Sequence, residues 1–357
     1  MRRLRWGGGE GRGGTAPGGG RTVPGGGRGD GERRGGERPG GGRGGGERPG
    51  GGRGDGGRRD APLSSRRRRA GYLFSLPGLV FLALFLAYPL LYNVWTSVHD
   101  VGLTELLGGA PRFNGLANYR ATVADPDFWH AVRLSMVFTV GSLLFQFVIG
   151  FALALLFARP FPLNGLLRSL LLLAWLLPPV VSGTLFRWML DGESGVYNVL
   201  LRATGLGALS HDWLTDPGTA LAGVVFANVW VGVPFNMLLL LVGLHTIDPE
   251  LHEAAAIDGA GVWQRFRWIT LPLMRPVSVT VLLLGLVYTF KVFDIIFVMT
   301  GGGPVDATSV LSLYVYEIFF KFFRFGEGAA AGLLLLLVPL LAGALYVRRL
   351  RREGETA

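Results

Sequence analysis

The chain has 357 residues, 49% of them hydrophobic, with a formal net charge of +10 and no cysteine. Lack of cysteine excludes a disulfide framework, a thiol nucleophile and a thiolate metal site. The averages hide two unlike parts. Residues 1–69 hold 28 of the 57 glycines, 18 arginines and 7 acids, net +11, whereas everything after them is net −1 and has the composition of a membrane protein.

Residues 1–70 read as a Gly/Arg-rich N-terminal extension, with the echo "GERPGGGRG" at 36–44 and 46–54. So little apolar area cannot offset the entropy of ordering, and the stretch is expected to be disordered. Such segments can bind RNA or anionic lipid. Here the aromatic interleaving that stacks on bases amounts to Trp6 alone. A dispensable extension, or a misassigned start, is the plainer reading, and no nucleic-acid partner is expected. No apolar h-region follows the early arginines, so the segment is not a secretory signal.

After Arg66–Arg69 the pattern changes. Apolar runs long enough for a core of about 30 Å occupy 73–95, 131–158, 166–190, 220–241, 277–299 and 329–347. An all-α membrane protein with six transmembrane helices follows, spanning 71–350, with 351–357 as a short tail. The segments 66–71, 159–168, 244–275 and 348–357 carry 13 arginines, against 5 Arg or Lys in 97–131, 191–218 and 299–328. Positive charge collects on the inside, so both termini are expected in the cytoplasm. Pro77, Pro89, Pro178, Pro179, Pro234 and Pro339 fall inside the runs, where kinks are tolerated if neighbours re-satisfy the freed carbonyls.

The cytoplasmic stretch 248–272 is unlike an ordinary loop. Asp248 predicts an N-cap, Pro249 the first helical position and Glu250 a favourable charge in the first turn. The helix is expected to run to Asp258 and stop at Gly259, with Ala254, Ala255 and Ala256 giving it a slim body. Beyond the hinge, Trp263, Phe266 and Ile269 recur at i, i+3 and i+6 among Gln264, Arg265 and Arg267. This predicts an interfacial helix, aromatics down and guanidiniums out, with Pro272 marking the turn into the fifth span. A docking helix and a merely structural amphipathic loop are both compatible with this pattern.

The segment "EAAAIDGAGVWQRFRWITLP" resembles the EAA loop of ABC-importer permeases: Glu253-Ala254-Ala255, Gly259 and Ile269-Thr270-Leu271-Pro272 match the family pattern. "LPGLVFLALFLAYPLLYNVWTS", "FNGLANY" at 113–119 and "FDIIFVMTGGGP" at 293–304 are similar to the carbohydrate-uptake branch of that family. The resemblance covers 72–350. It implies a permease subunit of an ATP-driven importer in a bacterial cell membrane, not an enzyme, translocating a sugar or related polyol. It further implies a second permease subunit, a cytoplasmic ATPase dimer and an external solute-binding protein, with membrane lipid around them. A permease for a non-carbohydrate solute is the alternative. ATPase coupling would rest on Glu253, Ala254, Ala255, Asp258 and Gly259: Glu253 pairs with a base of the ATPase, the alanines allow close packing, and Gly259 permits the exit.

No catalytic site, cofactor or metal is expected in the chain itself. The two lysines, Lys291 and Lys321, lie outside any G-x-x-x-x-G-K-[ST] loop, so ATP must be bound elsewhere. The five histidines form no H-E-x-x-H, and G-x-S-x-G is absent. An ion-coupled secondary transporter would need mid-membrane carboxylates and internal repeats; Asp294 is the one acid well inside a run. Polar or aromatic residues within the runs are Gln146, Trp175, Asn228, Trp230, Asn236, Tyr288, Lys291 and Asp294. Of these, Asn228, Trp230, Asn236 and Tyr288 are the expected lining of a substrate path. Lys291 and Asp294, at i and i+3, are expected to neutralise each other on one helix face. In the outer loops Asp125, Asp127, Asp191, Glu193, Asp212 and Asp216 face the side of the binding protein, or are merely solvated.

Overall fold

The computed structural model describes the backbone of residues 65–355, and the expectation of disorder for residues 1–64 lies outside them. Helix α1 (Ser65–Leu82) begins just before the arginine run, so the part of the extension from Ser65 to Ala70 is helix rather than tail. Arginine is a good helix former, and the helix runs on through Gly71 into the apolar run despite that residue's poor propensity. A π turn at Ala83–Ala87 joins α1 to α2 (Tyr88–Ser97), with the Tyr88 N–H reaching back five residues to the Ala83 carbonyl. Pro89 follows at once. A proline ring in a helix crowds the carbonyl four residues earlier, and a widened turn relieves this crowding.

A two-residue ladder pairs β1 (His99–Asp100) with β2 (Arg112–Phe113) at the end of α2. The longer helices that follow are α3 (Pro126–Phe157), α4 (Asn164–Leu176), α5 (Pro179–Met189) and α6 (Ala220–Leu244). Asp125 caps α3 by accepting the Asp127 N–H at 3.0 Å, with Pro126 at the first helical position. The expected third span is two helices, α4 and α5, bent by 99°. Leu177 and Pro178 are extended there, as a residue preceding proline must be.

After α6, α7 (Pro249–Ile257) and α8 (Val262–Arg265) lead through a second π turn, Phe266–Thr270, to α9 (Arg275–Phe290). The Leu271 N–H bonds the Phe266 carbonyl, again one residue before a proline. Pro272 therefore sits within helix, and the bend of 63° comes after Leu273 instead. The expected fifth span, 277–299, is also interrupted: Lys291–Phe293 are not helical, and α10 (Asp294–Met299) resumes beyond them. α11 (Leu311–Phe320) and α12 (Phe325–Glu355) complete the chain. α12 carries the arginine-rich end as helix, so the expected tail 351–357 is helical through Glu355.

Four helical stretches are long and apolar enough to cross a membrane: Phe74–Ser97, Pro126–Phe157, Ala220–Leu244 and Phe325–Arg348. The two bent pairs raise the number to six if each is one span. α3 and α6 form the centre. Gly150 admits the α6 backbone so closely that a Cβ there would lie 2.8 Å from Asn236 Cβ and 3.1 Å from the Met237 nitrogen. Small residues let helices approach in lipid, where packing rather than hydrophobicity drives association. One apolar cluster joins α3, α5, α6 and α10 around Phe138, Phe186 and Ile296. Another joins the far ends of α3 and α6 to α9 around Phe157, Met237 and Met274.

Candidate functional site

A cavity of about 310 Å³ opens between α3, α4, α6 and α9 at the interruption of the fifth expected span. That is the small end of ligand pockets, which run to about 1,000 Å³. α6 lines it with Asn228, Gly232, Phe235 and Asn236, α3 with Gln146, and α9 with Tyr288. Rings form one wall: Trp175 stacks on Phe235 at 5.4 Å, and Phe235 meets Tyr288 edge-on at 5.9 Å. Amides form another. The Gln146 Nε2 donates to the Asn228 carbonyl at 3.0 Å, and Asn236 Nδ2 to the Gly232 carbonyl at 2.9 Å. Gly232 is required by this packing, because a Cβ there would collide with the Gln146 amide.

Asn228 Nδ2 and Asn236 Oδ1 are buried and have no protein partner. Each unmet polar atom costs about 1–3 kcal/mol, which water or a hydroxyl-bearing solute in the cavity would recover. Asn228, Asn236 and Tyr288 line this cavity. Trp230 does not: it packs edge-on against Phe186 at 5.4 Å and is 42% exposed away from the cavity. Two residues along a helix are about 200° apart, so Trp230 belongs opposite Asn228. Phe235, seven residues after Asn228, is the ring on the right face, and that spacing is present in the sequence. Gln146 and Trp175 also line the cavity.

Lys291 and Asp294 line the same cavity from the break, but they form no ion pair. The helix they were expected to share ends at Phe290, so the i, i+3 geometry is lost. The Lys291 ammonium instead lies 5.4 Å from the centre of the Tyr288 ring, a cation–π contact.

At the other end of α6, helix α7 stands out from the chain. Asp248 accepts the Glu250 N–H at 3.0 Å and Pro249 opens the helix. Its exit is a left-handed cap: Gly259 has φ of +83°, its N–H bonds the Ala256 carbonyl at 3.1 Å, and the Ala260 N–H bonds Ala255 at 2.9 Å. No residue of α7 is buried. Glu253, Ala254, Asp258 and Gly259 are exposed, while Ala255 and His252 are half-buried on the inner side. Leu251 and Ile257 face outward too, Ile257 at 87% exposure. In the following segment Arg265, Phe266 and Ile269 are half-buried, with Thr270 buried beside them. Trp263 is exposed, and its ring lies 5.4 Å from that of Phe266, so the two aromatics share one face.

Of the loop acids, Asp191 and Asp216 are occupied with their own turns. Asp191 accepts the Glu193 and Ser194 N–H groups and the Ser194 hydroxyl, and Asp216 accepts the Gly218 N–H and holds His211 Nε2 at 2.6 Å. The Ser194 backbone bond for Asp191, and the Gly218 bond with His211 for Asp216, hold both carboxyls below the ordinary carboxylate value.

The family described as binding-protein-dependent transport system inner membrane component matches residues 146–352, more than half of the chain. The chain belongs to that family. The trehalose/maltose transport system permease protein MalF of Thermococcus litoralis is 34% identical over 294 residues, covering 82% of this chain and 97% of that protein. The sulfoquinovosyl glycerol transport system permease protein SmoG of Agrobacterium fabrum is 34% identical over 286 residues, 80% and 92% of the two chains. In fold, the permease resembles a chain of the bacterial alginate ABC transporter crystallised with an alginate pentasaccharide-bound periplasmic protein. The TM-score is 0.68 at 23% identity, over 80% of this chain and 96% of that one. The permease is a multi-pass transport subunit of the cell membrane and not an enzyme.

Proposed function

We infer that this chain is one of two permease subunits of an ATP-driven importer, moving a sugar or related polyol received from an external binding protein. The observation that carries this is the pairing of a polar, aromatic-walled cavity inside the membrane region with an exposed, doubly capped helix at one end. Amide groups with unmet hydrogen bonds beside stacked rings suit a hydroxylated solute, which offers both donors and apolar ring faces. The relatives named for trehalose/maltose and sulfoquinovosyl glycerol support a carbohydrate. On this reading each bent pair is one span, giving six. The excess of arginine at the α7 end keeps that end and both termini in the cytoplasm.

α7 then acts as the coupling helix, received by a groove of the cytoplasmic ATPase. Glu253 and Asp258 offer charge to the groove, Ala254 close approach, Leu251 and Ile257 apolar contact; Ala255 sits on the side facing its own chain. Closure of the ATPase moves α7 as a rigid body, and the segment 262–273 passes the motion to α9 and the cavity. A second permease subunit is supported by Phe74–Ser97, whose most apolar window has no buried residue. Residues 71–350 form the transport domain in this scheme, with 248–272 as its coupling loop.

The test is ATP-dependent uptake in proteoliposomes holding both permease subunits, the ATPase and the binding protein. Uptake of a binding-protein-delivered sugar that persists with protonophore and stops without ATP is expected. Uptake driven by an ion gradient alone would replace this reading with a secondary transporter.

A further inference from the structure

Where α3 and α6 finish and α7 begins, a cleft of about 960 Å³ opens between them and the segment after α7. Leu155, Leu244 and Phe266 give it apolar walls. Its charged and titratable lining is mostly basic: Arg159, His245, His252 and Arg265 against the single carboxylate of Glu253. Neither arginine pairs with a carboxylate among the described residues. Arg265 donates one bond from Nη1, at 3.4 Å to the His252 carbonyl, while its Nε is buried without a protein acceptor. An N–H in that position is stabilised by an anionic oxygen.

The mouth of the cleft has the character of a membrane boundary. Trp263, one of its lining residues, is 71% exposed, and Trp268 on the same segment is exposed with the Arg267 guanidinium 5.3 Å over its ring. Rings beside guanidiniums on an exposed helical face are what the headgroup layer selects. A basic pocket between helix ends at that depth, with apolar walls running toward the spans, matches an amphiphile better than a soluble anion.

We propose that this cleft binds the headgroup phosphate of an anionic phospholipid of the cytoplasmic leaflet. Arg159 and Arg265 take the phosphate oxygens, and the apolar walls take the glycerol and the upper acyl chain. Pro249, His252 and Glu253 of α7 line the same cleft, so the lipid braces the docking helix against the ends of α3 and α6. The leaflet assignment rests on the cytoplasmic placement of α7 made above; the binding chemistry does not.

The experiment uses the complete complex in nanodiscs of phosphatidylcholine with or without phosphatidylglycerol, with retained lipid counted by native mass spectrometry and ATPase turnover measured alongside. Wild type is expected to retain phosphatidylglycerol that Arg159→Gln/Arg265→Gln loses by tenfold or more. Arg267→Gln, outside the cleft lining, retains it. Turnover of wild type in phosphatidylcholine alone should fall to that of the double variant. Arg159→Gln alone, at a helix end, gives a partial loss if the double variant fails to assemble. Equal retention by wild type and variants overturns the proposal. Complete displacement by inorganic phosphate also overturns it, making the cleft a soluble-anion site. Loss of the ATPase from the double variant in phosphatidylglycerol discs overturns it by assigning the cleft to the ATPase contact. A nanodisc presents the same lipid on both faces, so an inverted orientation would leave the retention result intact and show instead in an N-terminal reporter.

Discussion

Phe74–Ser97 and Ala220–Leu244 have nearly the same mean hydropathy, 2.1 and 2.0, yet none of the first helix's most apolar window is buried and 56% of the second's is. Hydropathy reports that a segment belongs in the membrane; it does not report what covers it there. The difference lies in what interrupts the apolar runs. Ala220–Leu244 carries Gly223, Gly232 and Gly243, each with a neighbouring side chain where its Cβ would be, and it buries Asn228 and Asn236. Gly78 in the first helix has nothing within 4 Å. Glycine at a contact within the chain and glycine on its open face look alike in composition and differ entirely in consequence.

The largest expected effect sharpens that contrast. Gly150→Leu forces a side chain against the α6 backbone, which cannot yield as a flexible side chain would. It should cost at least the top of the range for overpacking, about 3 kcal/mol, seen as a lower melting temperature in detergent and less protein in the membrane. Gly78→Leu should leave the melting temperature of the isolated subunit unchanged and instead reduce recovery of the second permease subunit on co-purification. If the two variants melt alike, the central and peripheral helices are not distinct in the way their burial indicates.

A second substitution separates stability from transport within α6. Asn228→Leu removes a buried amide whose Nδ2 has no protein partner. Deleting an unmet polar group of this kind relieves about 1–3 kcal/mol, so the variant should melt higher than wild type. Uptake should fall at least tenfold at equal membrane abundance, since the cavity loses a donor for the solute. Trp230→Leu, on the opposite face, should change uptake little. A stabilised Asn228→Leu that transports normally would remove the cavity from the path.

These contrasts also mark how far the sequence can be read. α7 is legible nearly residue by residue, because Asp248, Pro249 and Gly259 act on their own neighbours and local chemistry needs no tertiary information. The bend at Leu177–Pro178 is signalled by its prolines, though not its size. The break at Lys291–Phe293 is not legible. No glycine or proline marks it, and α10 is turned off by packing against α5, where the Ile295 backbone comes within 3.4 Å of the place a Cβ on Gly183 would occupy. Trp230 illustrates a different failure: the helical period holds the answer, and residue type alone points away from it.

The next effect concerns the helix that stands outside the packed core. Gly259→Val places a β-branched residue at φ of +83°, which costs on the order of 1–2 kcal/mol. Open space surrounds the position, so the fold should survive while the α7 exit shifts. The expected result is normal membrane assembly with several-fold weaker ATPase co-purification and uncoupled hydrolysis. Asp248→Ala, which removes the cap at the other end, should cost about 1 kcal/mol and weaken coupling less. Full coupling in both variants would reduce α7 to a structural loop.

The smallest expected effect lies in the loop between α5 and α6, where Asp191 and Asp216 tie turns together at the surface. Their carboxyls are held below the ordinary value of 3.8 by the Ser194 bonds and by the Gly218 and His211 bonds respectively. A carboxyl depressed in the folded protein adds stability that is fully present above its unfolded value and is lost as pH falls through the folded one. The turn amides at Ser194 and Gly218 should therefore keep constant protection from hydrogen exchange between neutral pH and about pH 5, and lose it only below 3.8. Asp216→Asn should lower protection of Gly218 a few-fold at neutral pH, leave Ser194 alone, and flatten the acid dependence at its own turn. Neither residue is buried, so melting temperature and uptake should not move. Protection that instead falls between pH 7 and 5 would overturn the assignment of these turns to the carboxylates.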